Sequence, residues 1–81
     1  MLELKDTVDM MLSSDYKERM KAEYRQLKIR SDALKRMVEN YYVLDFKPKC
    51  SLQLLQSQVA SMCTYALILQ ERARIEGFDL I

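Results

Sequence analysis

The 81-residue sequence contains no histidine and no tryptophan, and it has only one glycine, one proline and two cysteines. Without histidine the chain cannot build a Cys/His zinc site or use histidine for acid–base or nucleophilic catalysis. A single glycine and a single proline leave little turn chemistry, while residues of high helix propensity dominate. The composition therefore predicts an all-α protein that is not an enzyme and holds no metal or cofactor.

The charges nearly cancel, with 13 basic and 12 acidic side chains and a net charge of +1. Proteins that bind duplex nucleic acid usually have a strong basic excess, so we expect no duplex partner. The first twelve residues include Glu3 and Asp6 and have no continuous apolar core, which argues against a signal peptide. Free cysteines and the lack of a targeting signal indicate the cytosol.

One long run, from Cys50 to Gln70, carries no charged side chain. It is almost long enough to cross a bilayer, but glutamines, serines and a threonine interrupt it, and each would need a hydrogen-bond partner in hydrocarbon. We therefore predict a soluble helix, buried on more than one face, and no membrane partner. A chain of this size buries only about 60–65% of its unfolded surface, so oligomerisation is the expected source of cover.

The apolar pattern predicts one domain over residues 1–81, made of a short N-terminal helix and a long antiparallel α-helical hairpin. The N-terminal helix covers 1–13, the first hairpin helix 15–42, the loop 43–50 and the second hairpin helix 51–77. Asp15 with Glu18 resembles a capping box, Ser51 is a good N-cap, and Gly77 stands where a left-handed residue would end a helix.

Each hairpin helix carries an apolar seam at alternating spacings of three and four residues, as in a coiled coil. The seams are Met20, Tyr24, Leu27, Ser31, Leu34, Val38 and Tyr41, and Leu52, Leu55, Val59, Met62, Ala66, Leu69 and Ala73. Matched lengths and seams specify an antiparallel pair. The last helix has a second stripe and, on a third side, Ala60, Cys63 and Leu67; the N-terminal helix is expected to cover one of these surfaces and another copy of the hairpin the other.

Two polar-aromatic clusters are candidate ligand sites, because guanidinium forks beside aromatic rings suit phosphates and stacked bases. The first lies on the first hairpin helix and the second on the last helix: Tyr16, Arg19, Glu23 and Arg30, and Gln58, Ser61, Tyr65 and Arg72. In an antiparallel hairpin, Arg72 is expected to lie close to Tyr16 and Arg19. The predicted ligand-binding residues are Tyr16, Arg19, Arg30, Gln58, Tyr65 and Arg72.

Structural roles explain several of the same residues. The tyrosines also suit a core with tethered hydroxyls, and Arg72 also suits a salt bridge between subunits. Cys50 and Cys63 lie near the start and in the middle of one predicted helix, which excludes a bridge between them, and both suit buried or interface positions. No Gly-rich phosphate loop or paired inward carboxylates are present.

The segments Asp15–Val38 and Leu44–Leu80 carry a recurring pattern. It consists of an acidic residue followed by Tyr-Lys-Glu-Arg-Met, a Glu-Tyr pair, LDF-x-P, Leu-Leu-x-x-Gln, Met-x-x-Tyr and Arg-x-x-Ile-Glu. This pattern resembles a family of small phage-encoded proteins that is similar to the helical-hairpin domain of anti-CBASS and anti-Thoeris sponge proteins. The N-terminal extension before Asp15 lies outside it.

The resemblance implies a non-catalytic protein that sequesters host immune signals, either cyclic oligonucleotides or cyclic ADP-ribose isomers, in the host cytoplasm. It also implies homo-oligomers, from dimers of hairpins to hexamers, with pockets between subunits. Two other functions stay open from the residues: a helical protein–protein interaction module with an exposed apolar face, and a nucleic-acid-binding hairpin that uses the basic first hairpin helix.

Overall fold

The computed structural model describes residues 4–46 and 48–80, apart from the side chain of Asp6. These residues form only helices and their connections. A 3₁₀ turn (Leu4–Thr7) leads into a short helix, α1 (Val8–Met11), which is followed by α2 (Tyr16–Glu39), a second 3₁₀ turn (Tyr41–Val43) and α3 (Leu52–Glu76). The predicted all-α architecture with two long helices is confirmed.

The N-terminus of α2 is capped by Asp15, whose carboxylate accepts the backbone N–H of Lys17 at 3.0 Å. The reciprocal half of the predicted capping box is replaced, because the backbone N–H of Asp15 donates to Ser13 Oγ at 3.1 Å. Helix α2 ends at Glu39, three residues before the expected end. Asn40 ends it, because its backbone has φ of −108° and ψ of 19°, outside the helical range, and its side-chain amide donates to the carbonyl of Arg36 at 2.8 Å.

Both ends of α3 have the caps that the sequence predicts. Ser51 Oγ accepts the backbone N–H of Leu54 at 3.1 Å. At the other end, Gly77 adopts a left-handed conformation with φ of 79°. The N–H of Gly77 bonds to Arg74 and that of Phe78 to Ala73, which together form a Schellman motif. This motif turns the C-terminal tail back, so that Phe78 and Leu80 pack on the core.

Helices α2 and α3 pack together along the two predicted seams and form the hairpin. The core contains Met20, Tyr24 and Leu27 from α2 and Ala66, Leu69 and Ala73 from α3, closed by Leu80. Two hydrogen bonds cross between the helices and fix their antiparallel register. Tyr16 is bonded to Glu76 near the open end, and Gln70 is bonded to Tyr24 about two helical turns further in.

The N-terminal segment packs on α2, on the side away from the seam, and so it does not provide the expected cover for α3. Thr7 is fully buried there, and its hydroxyl accepts from Gln26 Nε2 at 2.8 Å. Arg25 donates to the sulfur of Met10 at 3.0 Å. These polar partners lie on α2, which explains why the segment binds that helix.

Within one chain, α3 is buried along one stripe only, through Leu55, Ala66, Leu69 and Ala73. The prediction of burial on further faces is therefore not met inside the chain, and large apolar side chains are exposed: Leu54, Tyr65, Leu67, Ile68 and Ile75. By length and composition, α3 is the one helix in the described residues that would be able to cross a membrane. That criterion is weak evidence on its own, since core helices of soluble proteins also meet it.

Candidate functional site

At the open end of the hairpin, the first residue of α2 meets the last turn of α3. The hydroxyl of Tyr16 donates to Glu76 Oε2 at 2.7 Å. This hydrogen bond raises the pKa of Tyr16 above 10.0, because losing the phenolic proton would break it and leave two negative charges together. The positive charge of Arg72 acts on Tyr16 in the opposite direction. Tyr16 and Arg72, which belong to separate predicted clusters, therefore lie at the same end of the hairpin.

Arg19 forms a contact that the sequence did not predict. Its guanidinium donates to the backbone carbonyl of Ser13 at 2.8 Å, so it ties the start of α2 to the connection from α1. The Ser13 carbonyl thereby gains a charged hydrogen-bond donor. No pattern in the sequence predicts this bond. Arg19 remains solvent-exposed and lies one helical turn from Tyr16.

The other predicted ligand residues lie further along the hairpin. Arg30, Gln58 and Tyr65 are all exposed, and Tyr65 retains 40% of its accessible surface. The cross-helix register places Arg30 level with residues 62–64. Gln58, Tyr65 and Arg72 recur every seven residues, so they share one face of α3. The predicted residues thus extend from the open end of the hairpin along a surface that is exposed in the part of the chain that the structure describes.

That face of α3 also carries exposed apolar side chains between the polar ones. Leu54, Ile68 and Ile75 are 61%, 52% and 68% exposed. Together with Ser61 they alternate with Gln58, Tyr65 and Arg72 at spacings of four and three residues. We call this surface the α3 outer stripe. It has the pattern of a helix-pairing seam, with no second helix against it in the described part of the chain.

A cavity of about 420 Å³, which no sequence pattern predicted, lies near the C-terminal tail. Its lining includes Tyr24, Gln70, Arg74, Phe78 and Asp79. The tail reaches this position because Gly77 reverses the chain. An apolar residue directly after a helix-ending glycine was the available signal, since Schellman motifs often pack that side chain back on the helix.

Arg74 has a fixed orientation at this cavity. Its Nε and Nη2 donate to the two carboxylate oxygens of Glu71 at 2.9 and 2.6 Å. This bidentate pairing lowers the pKa of Glu71 and raises that of Arg74. Both side chains are largely exposed, so the pair orients the guanidinium more than it stabilises the fold.

Among the residues that the structure describes, the cysteines and carboxylates do not form a common site. Within residues 4–46 and 48–80, no cluster of three cysteine or carboxylate side chains is placed to hold a metal ion. Cys50 and Cys63 are free and half-buried.

Comparison with known proteins identifies the family. No curated protein and no solved structure matches the chain significantly. The sequence does match the Sequestin family over residues 14–75, which begins one residue before the pattern that starts at Asp15 and leaves out the N-terminal helix. Because this match covers more than half of its residues, the chain belongs to the Sequestin family.

Proposed function

We propose that the protein sequesters cyclic nucleotide immune signals, either cyclic oligonucleotides or cyclic ADP-ribose isomers, and does not cleave them. It acts as a phage counter-defence protein in the cytoplasm of the host. The family name denotes sequestration, and the proposal adds the ligand class and the setting. The ligand is bound between subunits of a homo-oligomer, a dimer or a larger ring up to a hexamer.

The observation that carries the proposal is the interaction of Tyr16 with Glu76 and Arg72 at the open end of the hairpin. A cyclic nucleotide presents phosphates and flat bases, so its binder needs cationic donors beside aromatic surfaces. Arg72 supplies a planar guanidinium at the same end of the hairpin, near enough for its charge to act on Tyr16. Glu76 holds the Tyr16 hydroxyl, which limits the rotation of the ring before a ligand binds.

The arrangement is open in one chain, and this supports binding between chains. Tyr16 is 42% exposed and Tyr65 is 40% exposed, so both rings have a free face. Arg30 and Gln58 extend the same polar surface toward the closed end. When a second hairpin pairs along the α3 outer stripe, these groups from two chains face each other and enclose a ligand that neither chain surrounds alone.

Binding is tested by a thermal-shift screen against cyclic dinucleotides, cyclic trinucleotides and cyclic ADP-ribose isomers. A ligand at 100 times its Kd adds about 2.7 kcal/mol to the free energy of unfolding, which is a readily measured shift. The bound compound is then released by denaturation and identified by mass spectrometry. We expect it intact and in no more than stoichiometric amount. A hydrolysed product in excess over protein would contradict a sequestering role.

Arg72→Lys tests the position of the site, since it keeps the charge and removes the planar fork. We expect binding to weaken by about 1–3 kcal/mol with the oligomer intact. Arg36→Lys is the matched control, because Arg36 is exposed near the other end of α2. If Arg72→Lys dissociates the oligomer and leaves ligand affinity per assembled site unchanged, Arg72 is an assembly residue.

The α3 outer stripe favours a second candidate function, a non-catalytic helical module that binds another protein. Leu54, Ile68 and Ile75 would then contact an amphipathic helix of the partner. The two candidates make different predictions for the purified chain. A sponge gains thermal stability from a cyclic nucleotide, whereas an interaction module responds to none of the screened compounds.

A further inference from the structure

The cavity beside the C-terminal tail lies apart from the proposed cyclic nucleotide site. The proposed site centres on Tyr16 and Arg72, whereas the cavity is lined by Tyr24, Gln70 and the tail. Its volume of about 420 Å³ is near the small end of the range of ligand pockets, about 300–1,000 Å³. That space suits a ligand of mononucleotide size and is too small to enclose a cyclic oligonucleotide.

The interior of the cavity contains an oriented polar group. Tyr24 is only 7% exposed, and its hydroxyl oxygen accepts the Gln70 amide at 2.7 Å. A tyrosine hydroxyl also donates one hydrogen, and none of the residues that the structure describes accepts it. Because this pair is only partly buried where it borders the cavity, the hydroxyl hydrogen is available to an acceptor atom of a ligand.

The wall of the cavity combines an aromatic face with positive charge. Phe78 lines the cavity, and the ammonium groups of Lys17 and Lys21, which lie outside the lining, are 5.5 and 6.0 Å from the centre of its ring. Arg74, held by Glu71, adds a guanidinium to the lining. Asp79 contributes an acceptor for a ligand N–H group. An aromatic wall, hydrogen-bonding groups of both kinds and cations at one side are the features that a heteroaromatic anion requires.

We propose that this cavity binds a heteroaromatic anion of the size of a purine nucleoside monophosphate. The base lies against Phe78 and accepts the hydrogen bond of Tyr24, and the phosphate lies toward Lys17 and Lys21. The site is complete within one chain, so its occupancy does not require an oligomer. This inference does not rest on the proposed function.

The test uses AMP as the probe and the full-length chain labelled with ¹⁵N. AMP is titrated by calorimetry and by amide chemical shifts, with adenosine and inorganic phosphate as partial ligands. We expect AMP to bind and to shift the amide signals of Gln70, Arg74 and Phe78. We also expect adenosine to bind about tenfold more weakly, because it lacks the group that the lysines attract.

Two variants locate the site. Tyr24→Phe removes one hydroxyl and should raise the Kd for AMP about fivefold, the effect of one hydrogen bond. The double variant K17Q/K21Q should raise it about tenfold and leave the affinity for adenosine unchanged. K35Q/K49Q is the matched control, since it removes two lysines near the closed end of the hairpin, more than two helical turns from Tyr24.

The proposal is overturned if AMP produces no shifts at these amides at millimolar concentration. It is also overturned if the cavity variants bind AMP as tightly as the wild-type chain, or if K35Q/K49Q weakens AMP binding as much as K17Q/K21Q does. Arg72→Lys separates this result from the proposed function: it should leave AMP binding unchanged while it weakens binding of a cyclic nucleotide.

Discussion

Two tyrosines of α2 form hydrogen bonds with α3, and their hydroxyls act in opposite senses. Tyr16 donates to Glu76, whereas Tyr24 accepts from Gln70. The sequence predicts tyrosines on or beside the seam with tethered hydroxyls, but it does not identify their partners. Those partners depend on the register between the helices, and the repeating seams allow several registers.

The Tyr16–Glu76 bond predicts a change in tyrosine ionisation. Because the bond raises the pKa of Tyr16 above 10.0, Glu76→Gln should lower that pKa toward its usual value, since the carboxylate charge is lost. The measurement is the absorbance of tyrosinate during an alkaline titration, with Tyr16→Phe used to assign the Tyr16 component. Glu71→Gln is the control, since Glu71 pairs with Arg74 and should leave Tyr16 unchanged.

The same bond gives stability a defined dependence on pH. The folded-state pKa of Tyr16 is raised, so the stabilisation is fully present below the unfolded-state pKa, near 10, and is lost as the pH rises through the folded-state value. Above pH 10 the wild-type chain should therefore lose stability faster than Tyr16→Phe. If both proteins lost the same stability above pH 10, ionisation of Tyr16 would not be the cause of the loss.

Leu69 provides a test of the core, because it is fully buried between the hairpin helices and the tail. Leu69→Ala should lower the free energy of unfolding by about 2–5 kcal/mol through lost burial and a residual cavity. Leu12→Ala is the matched control, since Leu12 is 79% exposed, and it should change stability by less than about 0.5 kcal/mol. Both values are obtained from urea unfolding followed by circular dichroism. Equal effects would show that the hairpin seam lies elsewhere.

At the scale of the elements, the helix ends of α3 were predictable because capping is local chemistry. Ser51 and Gly77 have the residue types that satisfy orphan backbone groups at the two ends of a helix, and the structure contains both caps. The end of α2 was less predictable. Its apolar seam continues through Tyr41, whereas the backbone leaves the α-helix at Asn40.

The left-handed conformation of Gly77 gives a prediction about the end of α3. Gly77→Ala should destabilise the chain by about 1–2 kcal/mol, the cost of a left-handed conformation for a residue with a Cβ. No atom lies within 4 Å of an added Cβ, so the loss comes from the backbone and not from a clash. Gly77→Asn is the control and should cost less, because asparagine tolerates this conformation better. Thermal unfolding of both variants measures the difference; equal losses would point to side-chain packing instead.

The placement of the N-terminal segment was not predictable from apolar periodicity. It is held on α2 by Thr7 with Gln26 and by Met10 with Arg25. These are single polar contacts that leave no repeating pattern in the sequence. The candidate site also has a predictable and an unpredictable part. The antiparallel topology predicts that Tyr16 and Arg72 lie at the same end of the hairpin, whereas nothing in the sequence predicts the bond from Arg19 to Ser13.

In the whole molecule, α2 is the central helix. The N-terminal segment packs on one side of it and α3 on the other, within dimensions of 42 × 25 × 19 Å. Helix α3 is therefore the outer helix of the hairpin, although it is the most apolar segment of the chain. Since exposed contiguous apolar surface favours association, we expect the α3 outer stripe to be covered by a second copy.

Charge insertion in the α3 outer stripe tests this assembly. We expect the wild-type chain to be a dimer or larger at micromolar concentration, measured by sedimentation velocity. Ile68→Glu should weaken association at least about tenfold, because it would bury an unpaired carboxylate in the interface. Helix content should stay unchanged, because Ile68 is 52% exposed in the single chain. Leu67→Glu is the matched control: Leu67 is 64% exposed and lies about 100° around the helix, outside the stripe. A folded monomer for the wild-type chain would remove the basis for a site between subunits. Dissociation by Leu67→Glu and not by Ile68→Glu would assign the interface to the neighbouring face of α3.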